Sequence, residues 1–128
     1  MNVAVAVFDD AVDAGLVLSR HGERVHVESP LGHPLPEALK ARIVDCRTEL
    51  LAWLEWRETA DDELLACSRR LAESYPPGCP LEGEGWRAAE EQLMAAYRSQ
   101  EPGLWRETLS HYESFALERF RAYRLERK

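Results

Sequence analysis

Three cysteines, four histidines and 23 carboxylates are the side chains of this 128-residue sequence that could do chemistry. Cys46, Cys67 and Cys79 lie 21 and 12 residues apart, with no Cys-x-x-Cys and no Cys-His cluster. That spacing does not suit a structural zinc site, and an odd number of cysteines does not suit a disulfide framework. Cys46 and Cys67 fall on apolar helical stripes and read as core thiols. Cys79 sits in the loop Pro76-Pro77-Gly78-Cys79-Pro80, where a thiol can be exposed. As a nucleophile it would need a base such as His111, and no sequence feature brings the two together. His21, His26 and His33 fall in a turn, on a strand and in a loop, where solvated imidazoles are expected. Glu107 and His111 are four apart, the spacing of a local helix pair. Asp9-Asp10, Asp61-Asp62-Glu63 and Glu90-Glu91 are adjacent carboxylates. Neighbours on a helix point in different directions, so they make solvated faces rather than an acid–base pair. Phosphate-binding glycine loops and nucleophile elbows are absent. The sequence reads as non-catalytic, with no cofactor and no metal.

The basic residues are more suggestive. Residues 1–57 hold 9 acids and 6 bases, residues 58–118 hold 13 and 5, and residues 119–128 hold 1 and 5. The net charge of −7 is therefore an acidic body with a basic end. An acidic body is repelled by nucleic acid. Phosphate could be held only at the C-terminal helix, where Arg121, Arg124 and Lys128 share a face beside Phe120 and Tyr123. The same cations also suit a helix C-terminus for purely structural reasons.

Hairpin and helices must position these groups. Ala4, Val5, Phe8, Ala11 and Val12 recur at helical steps, and Gly15 stands where a helix C′ glycine would. The spacing predicts a helix over residues 4–14. Leu16 and Leu18 alternate with Val17 and Ser19, and Val25 and Val27 alternate with Arg24, His26 and Glu28. This predicts a hairpin pairing Leu18 with Val25 and Leu16 with Val27, around a His21-Gly22 loop of the X-Gly kind. Its apolar face must pack on helices, because an isolated hairpin is marginal in water.

Pro34 or Pro36 can open the next helix. Leu39, Ile43, Cys46, Leu50, Trp53 and Leu54 give residues 36–57 one apolar face, as one long helix or two with a bend near residue 47. Thr59-Ala60-Asp61-Asp62 resembles a capping box for a new helix running to Tyr75. Trp86, Ala89, Leu93 and Tyr97 form another stripe. Trp105, Leu109, Tyr112, Ala116, Phe120 and Tyr123 form the last. The expected fold is α+β, with a helix–hairpin–helix module over residues 1–57 and a helical region over 58–128 packing on it.

Within the first half, Phe8 and Val12 on the helix, Ala14-Gly15-Leu16-Val17-Leu18, His21-Gly22-Glu23-Arg24-Val25-His26-Val27, Ser29-Pro30, Leu35-Pro36-Glu37-Ala38-Leu39 and Thr48-Glu49-Leu50-Leu51-Ala52-Trp53-Leu54 form a pattern. Over residues 4–56 it resembles the TubC-type N-terminal docking domain of nonribosomal peptide synthetases. Leu35 stands where that family commonly has a small polar N-cap. The resemblance implies a helix, hairpin, helix, helix order and a hairpin edge that accepts a partner segment as an added strand. It places the accepting edge at residues 24–28, with Arg20 and Arg24 facing an acidic peptide and Val25, His26, Val27 and Glu28 along the edge.

The function expected is a standalone, cytoplasmic protein–protein adaptor that can pair as a homodimer. The start MNVAVAVFDDAVD lacks a basic leader, and no apolar run has the ~20 residues a membrane helix needs. The alternative is an accessory or inhibitor protein of a mobile element, such as a phage or plasmid, acting on a nucleic-acid-processing complex by acidic mimicry. In either case the expected partner is another protein.

Overall fold

Asn2 begins the first helix by accepting a hydrogen bond from the Ala4 amide at 2.9 Å. This side chain satisfies one of the amides that a helix N-terminus leaves unpaired. Helix α1 spans Val3–Asp13 and buries Ala4, Val5, Val7, Phe8 and Ala11. Its end is a Schellman motif: the Gly15 amide donates to Val12 at 3.0 Å and the Leu16 amide to Ala11 at 2.9 Å. Gly15 has φ +78°, and a Cβ there would meet the His33 ring at 2.8 Å, so glycine is required on two grounds. Val12, read as part of the apolar stripe, is instead 52% exposed.

The computed structural model describes residues 2–127. Among them are five helices and one two-stranded antiparallel hairpin, an α+β chain with a helical bulk. After α1 come strands β1 (Val17–His21) and β2 (Arg24–Glu28), then α2 (Glu37–Asp45), α3 (Arg47–Ser74), α4 (Glu84–Ser99) and α5 (Pro102–Glu126). The chain divides into two compact units, Met1–Thr59 and Ala60–Lys128, with the boundary inside α3.

The hairpin register differs from the expected one. Leu18 pairs with Val27, Arg20 with Val25 and His21 with Arg24, leaving Gly22-Glu23 as the loop. Gly22 has φ +64°, while Glu23 is not among the residues with positive φ. Gly22 is thus the first central residue, the position that type II′ turns reserve for glycine. Placing it second, as in a type I′ loop, moved every pair by two positions. A two-residue shift keeps each side chain on its face, so the alternation of faces survives.

The α2–α3 break falls at Cys46, with φ −111° and ψ 25°. Its amide still accepts α2 geometry by donating to Arg42, while its carbonyl accepts from Leu50 at 2.8 Å and so joins α3. No new helix begins at Thr59. Its hydroxyl donates back to the Glu55 carbonyl at 3.4 Å, the way threonine is accommodated within a helix. No glycine or proline interrupts residues 47–74, so the helix runs on through Thr59 despite the acids that follow it.

The first unit's core joins the α1 stripe to Leu16, Leu18, Leu39, Ile43, Leu50, Trp53 and Leu54. Phe8 meets Trp53 edge-on, with ring centroids 6.2 Å apart, and Arg57 lies over the Phe8 ring at 4.2 Å. Arg42 of α2 pairs with Asp10 of α1 at 2.6 Å. The second unit is built on aromatic rings. Trp86 meets Phe115 at 5.0 Å, Phe120 at 6.2 Å and Tyr112 at 6.3 Å. Pro102 opens α5 at a position where its missing amide costs nothing.

Candidate partner-docking site

Opposite residues of an antiparallel pair share a face. Leu18, Arg20, Val25 and Val27 therefore lie on one side of the hairpin, and Val17, Ser19, His21, Arg24, His26 and Glu28 on the other. The first side is the better covered: Leu18 is buried, and Arg20, Val25 and Val27 are half-buried. Helix α1 packs against β1. Strand β2 alternates exposed and half-buried residues along its whole length.

A two-residue loop is closed by a hydrogen-bonded pair, here His21 with Arg24, and the ladder then alternates. Arg24, His26 and Glu28 direct their main-chain groups to β1. The amides and carbonyls of Val25 and Val27 point the other way, along the outer edge. These are the groups an added strand would use.

Arg20 and Arg24 are not a pair. They project from opposite faces of the hairpin, Arg24 exposed and Arg20 half-buried. The Arg20 guanidinium donates to the Glu58 carboxylate at 2.8 Å. That hydrogen bond, reinforced by the charges of Glu58 and Glu55, holds Arg20 above its ordinary pKa. Arg47 donates to the Glu23 carbonyl at 2.8 Å and so fixes the turn to the start of α3. These two arginines line a cleft of about 510 Å³ with Glu23, Leu51 and Glu55. Both guanidiniums serve to seat the hairpin on α3. On the outer face, His21 and His26 stack with centroids 4.5 Å apart, and His26 Nε2 lies 3.1 Å from Glu28.

The C-terminal basic residues are dispersed rather than pooled. Arg124 donates to the Ser74 carbonyl at the end of α3, where the helix dipole favours a cation. Arg119 lies over the Phe115 ring and Arg127 over the Tyr123 ring, at 5.1 and 4.8 Å. Arg121 is exposed, and Lys128 lies outside the described residues. The sequence had grouped Arg121, Arg124 and Lys128 as one anion-binding face; it gave no sign that the end of α3 would engage Arg124.

Cys79 corrects another expectation. It is 5% exposed, in a cluster with Trp86, Ala116 and Phe120, because the Tyr75 hydroxyl donates to its carbonyl at 2.7 Å and folds the proline loop inward. Cys46 and Cys67 are buried free thiols, and burial pushes both above their ordinary pKa. Among the described residues, no group of three or more His, Cys, Asp or Glu side chains is placed to hold a metal. No described helix is long and apolar enough to cross a membrane.

Glu58 and Arg47, which seat the hairpin, had no signal in the sequence: each acts on a residue 24 or more positions away. Comparisons with models of protein families, with curated proteins and with solved structures find no match for this chain.

Proposed function

We propose that this chain is a non-catalytic cytoplasmic adaptor that binds an extended segment of a partner protein as a third strand beside β2. The outer edge of β2 carries the proposal. Its main-chain groups at Val25 and Val27 face away from β1, and the side chains around them alternate between exposed and half-buried. Strand addition draws affinity from such main-chain groups and selectivity from the side chains beside them. Arg24 would meet an acidic side chain, while His26 and Glu28 would set the chemistry of the exposed face. The resemblance of residues 4–56 to the TubC-type docking domain supports the same reading. A hairpin held to α3 by Arg20–Glu58 and Arg47–Glu23 also supports it, because a rigid edge loses less entropy on binding.

Peptides selected on the full chain from a displayed random library test the proposal. Expected is a family of extended peptides enriched in acids, whose addition shifts the amides of residues 24–28. Peptides that bind while leaving those amides unshifted would remove strand addition.

A further inference from the structure

Strand β2 is complementary to itself. Its sequence, Arg24-Val25-His26-Val27-Glu28, has a cation at one end, a carboxylate at the other and an imidazole in the middle. When two copies of this strand lie antiparallel in full overlap, Arg24 faces Glu28 of the second copy, Val25 faces its Val27, and the two His26 rings face each other. Main-chain parity selects the same register. The His21–Arg24 pair closes the hairpin loop, so Arg24, His26 and Glu28 direct their main-chain groups to β1, and Val25 and Val27 direct theirs outward. Full overlap sets the outward groups of Val25 against those of Val27 in the second copy, and every outward amide and carbonyl of the valines finds a partner. A slip of one residue sets outward groups against inward ones. A slip of two leaves one valine past the end of the facing strand and separates Arg24 from Glu28.

The side chains agree with that register. Arg24, His26 and Glu28 are exposed on one face, and Val25 and Val27 are half-buried on the other. Opposite residues of an antiparallel pair share a face, so charges meet charges and valines meet valines. The Arg24–Glu28 contacts fall at non-hydrogen-bonded positions, where opposite side chains stand closest. Glu28 lies 3.1 Å from His26 Nε2 yet keeps 61% of its side chain exposed, so its carboxylate can take an arginine as well. We propose that the outer edge of β2 pairs antiparallel with the same edge of a second copy of this chain, joining the two hairpins into one sheet. The inference rests on the reading of that edge as the accepting one, and it names the occupant when no partner segment is bound. Self-pairing covers an edge that would otherwise be open to indiscriminate strand addition. A partner segment must displace the second copy, because both use the main-chain groups of Val25 and Val27.

Analytical ultracentrifugation of the full chain at physiological ionic strength tests it. So short an interface associates weakly, so the average mass should rise towards that of a dimer between about 10 µM and about 1 mM. Glu28→Arg sets arginine against arginine, and Arg24→Glu sets glutamate against glutamate; each should weaken association at least about five-fold. Each copy carries a net charge of −7, and Glu28→Arg relieves that general repulsion, so weakening by this variant reports the specific contact. The double exchange of Arg24→Glu with Glu28→Arg keeps both the net charge and the complementarity and should restore association. An equimolar mixture of the two single variants should restore it too. A chain that stays monomeric throughout would overturn self-pairing, and whether a selected peptide then still shifts the amides of residues 24–28 decides the docking reading separately. Association unchanged by Glu28→Arg, or not restored by a double exchange whose amide spectrum shows the native fold, would also overturn it.

Discussion

The Arg20 guanidinium meets the Glu58 carboxylate at 2.8 Å and ties the middle of β1 to α3 across 38 residues of sequence. Arg20 thereby belongs to the support of the hairpin, whereas Arg24, on the opposite face, belongs to its exposed surface. The two arginines should separate experimentally. Glu58→Gln should speed hydrogen exchange in residues 17–28 and leave the second unit's exchange unchanged. Arg24→Ala should lower affinity for an acidic peptide and flatten its salt dependence, with stability altered by no more than about 0.5 kcal/mol.

Gly22 is required by the turn alone, since nothing lies within 4 Å of a Cβ built there. Gly22→Ala should cost about 1 kcal/mol through its positive φ. Gly15→Ala meets the same backbone cost and a clash with His33, so it should cost more, about 2 kcal/mol. Urea midpoints of the two variants measure both effects. Equal losses would mean that His33 moves aside freely.

Glu113 accepts two hydrogen bonds from Arg70, at 2.9 and 2.8 Å, and these hold its carboxyl below the usual value of 4.5. A carboxyl with a lowered folded-state pKa contributes stability above its unfolded pKa and loses it as pH falls through the folded one. Unfolding of the second unit should therefore become easier as pH drops below about 4.5, and Glu113→Gln should flatten that dependence. Denaturant melts between pH 3 and 7 check the slope.

All three thiols are buried, and desolvation keeps Cys46 and Cys67 protonated at neutral pH. A colorimetric disulfide reagent should label the native chain only on the timescale of its opening, and all three sulfurs at once in denaturant. Rapid native labelling at Cys79 would mean that the proline loop opens locally.

Much of the architecture was legible in local patterns. Phe8, Ala11 and Gly15 mark α1 and its end because helical spacing and a left-handed cap are short-range constraints. The hairpin was legible in its faces but not in its register, since Leu18 can oppose Val25 or Val27 without leaving its face, and only the turn decides. Thr59 looked like a helix start because its neighbours are acidic, yet a helix continues unless something breaks it. The long-range partners were not legible at all. Glu58 beneath Arg20, Ser74 beside Arg124 and Tyr75 over the Cys79 loop depend on how distant elements meet. The alternation of residues 24–28 was legible as a strand, whereas the engagement of Arg20 by Glu58 could not be read from spacing.

Backbone amide mapping tests the central claim most directly. A selected peptide is titrated into the 15N-labelled chain, and hydrogen exchange is then measured in the complex. Strand addition at β2 predicts protection of the Val25 and Val27 amides, which face outward in the free chain, with Arg24 and His26 already protected by β1. Binding with Val25 and Val27 exchanging as fast as before would contradict it.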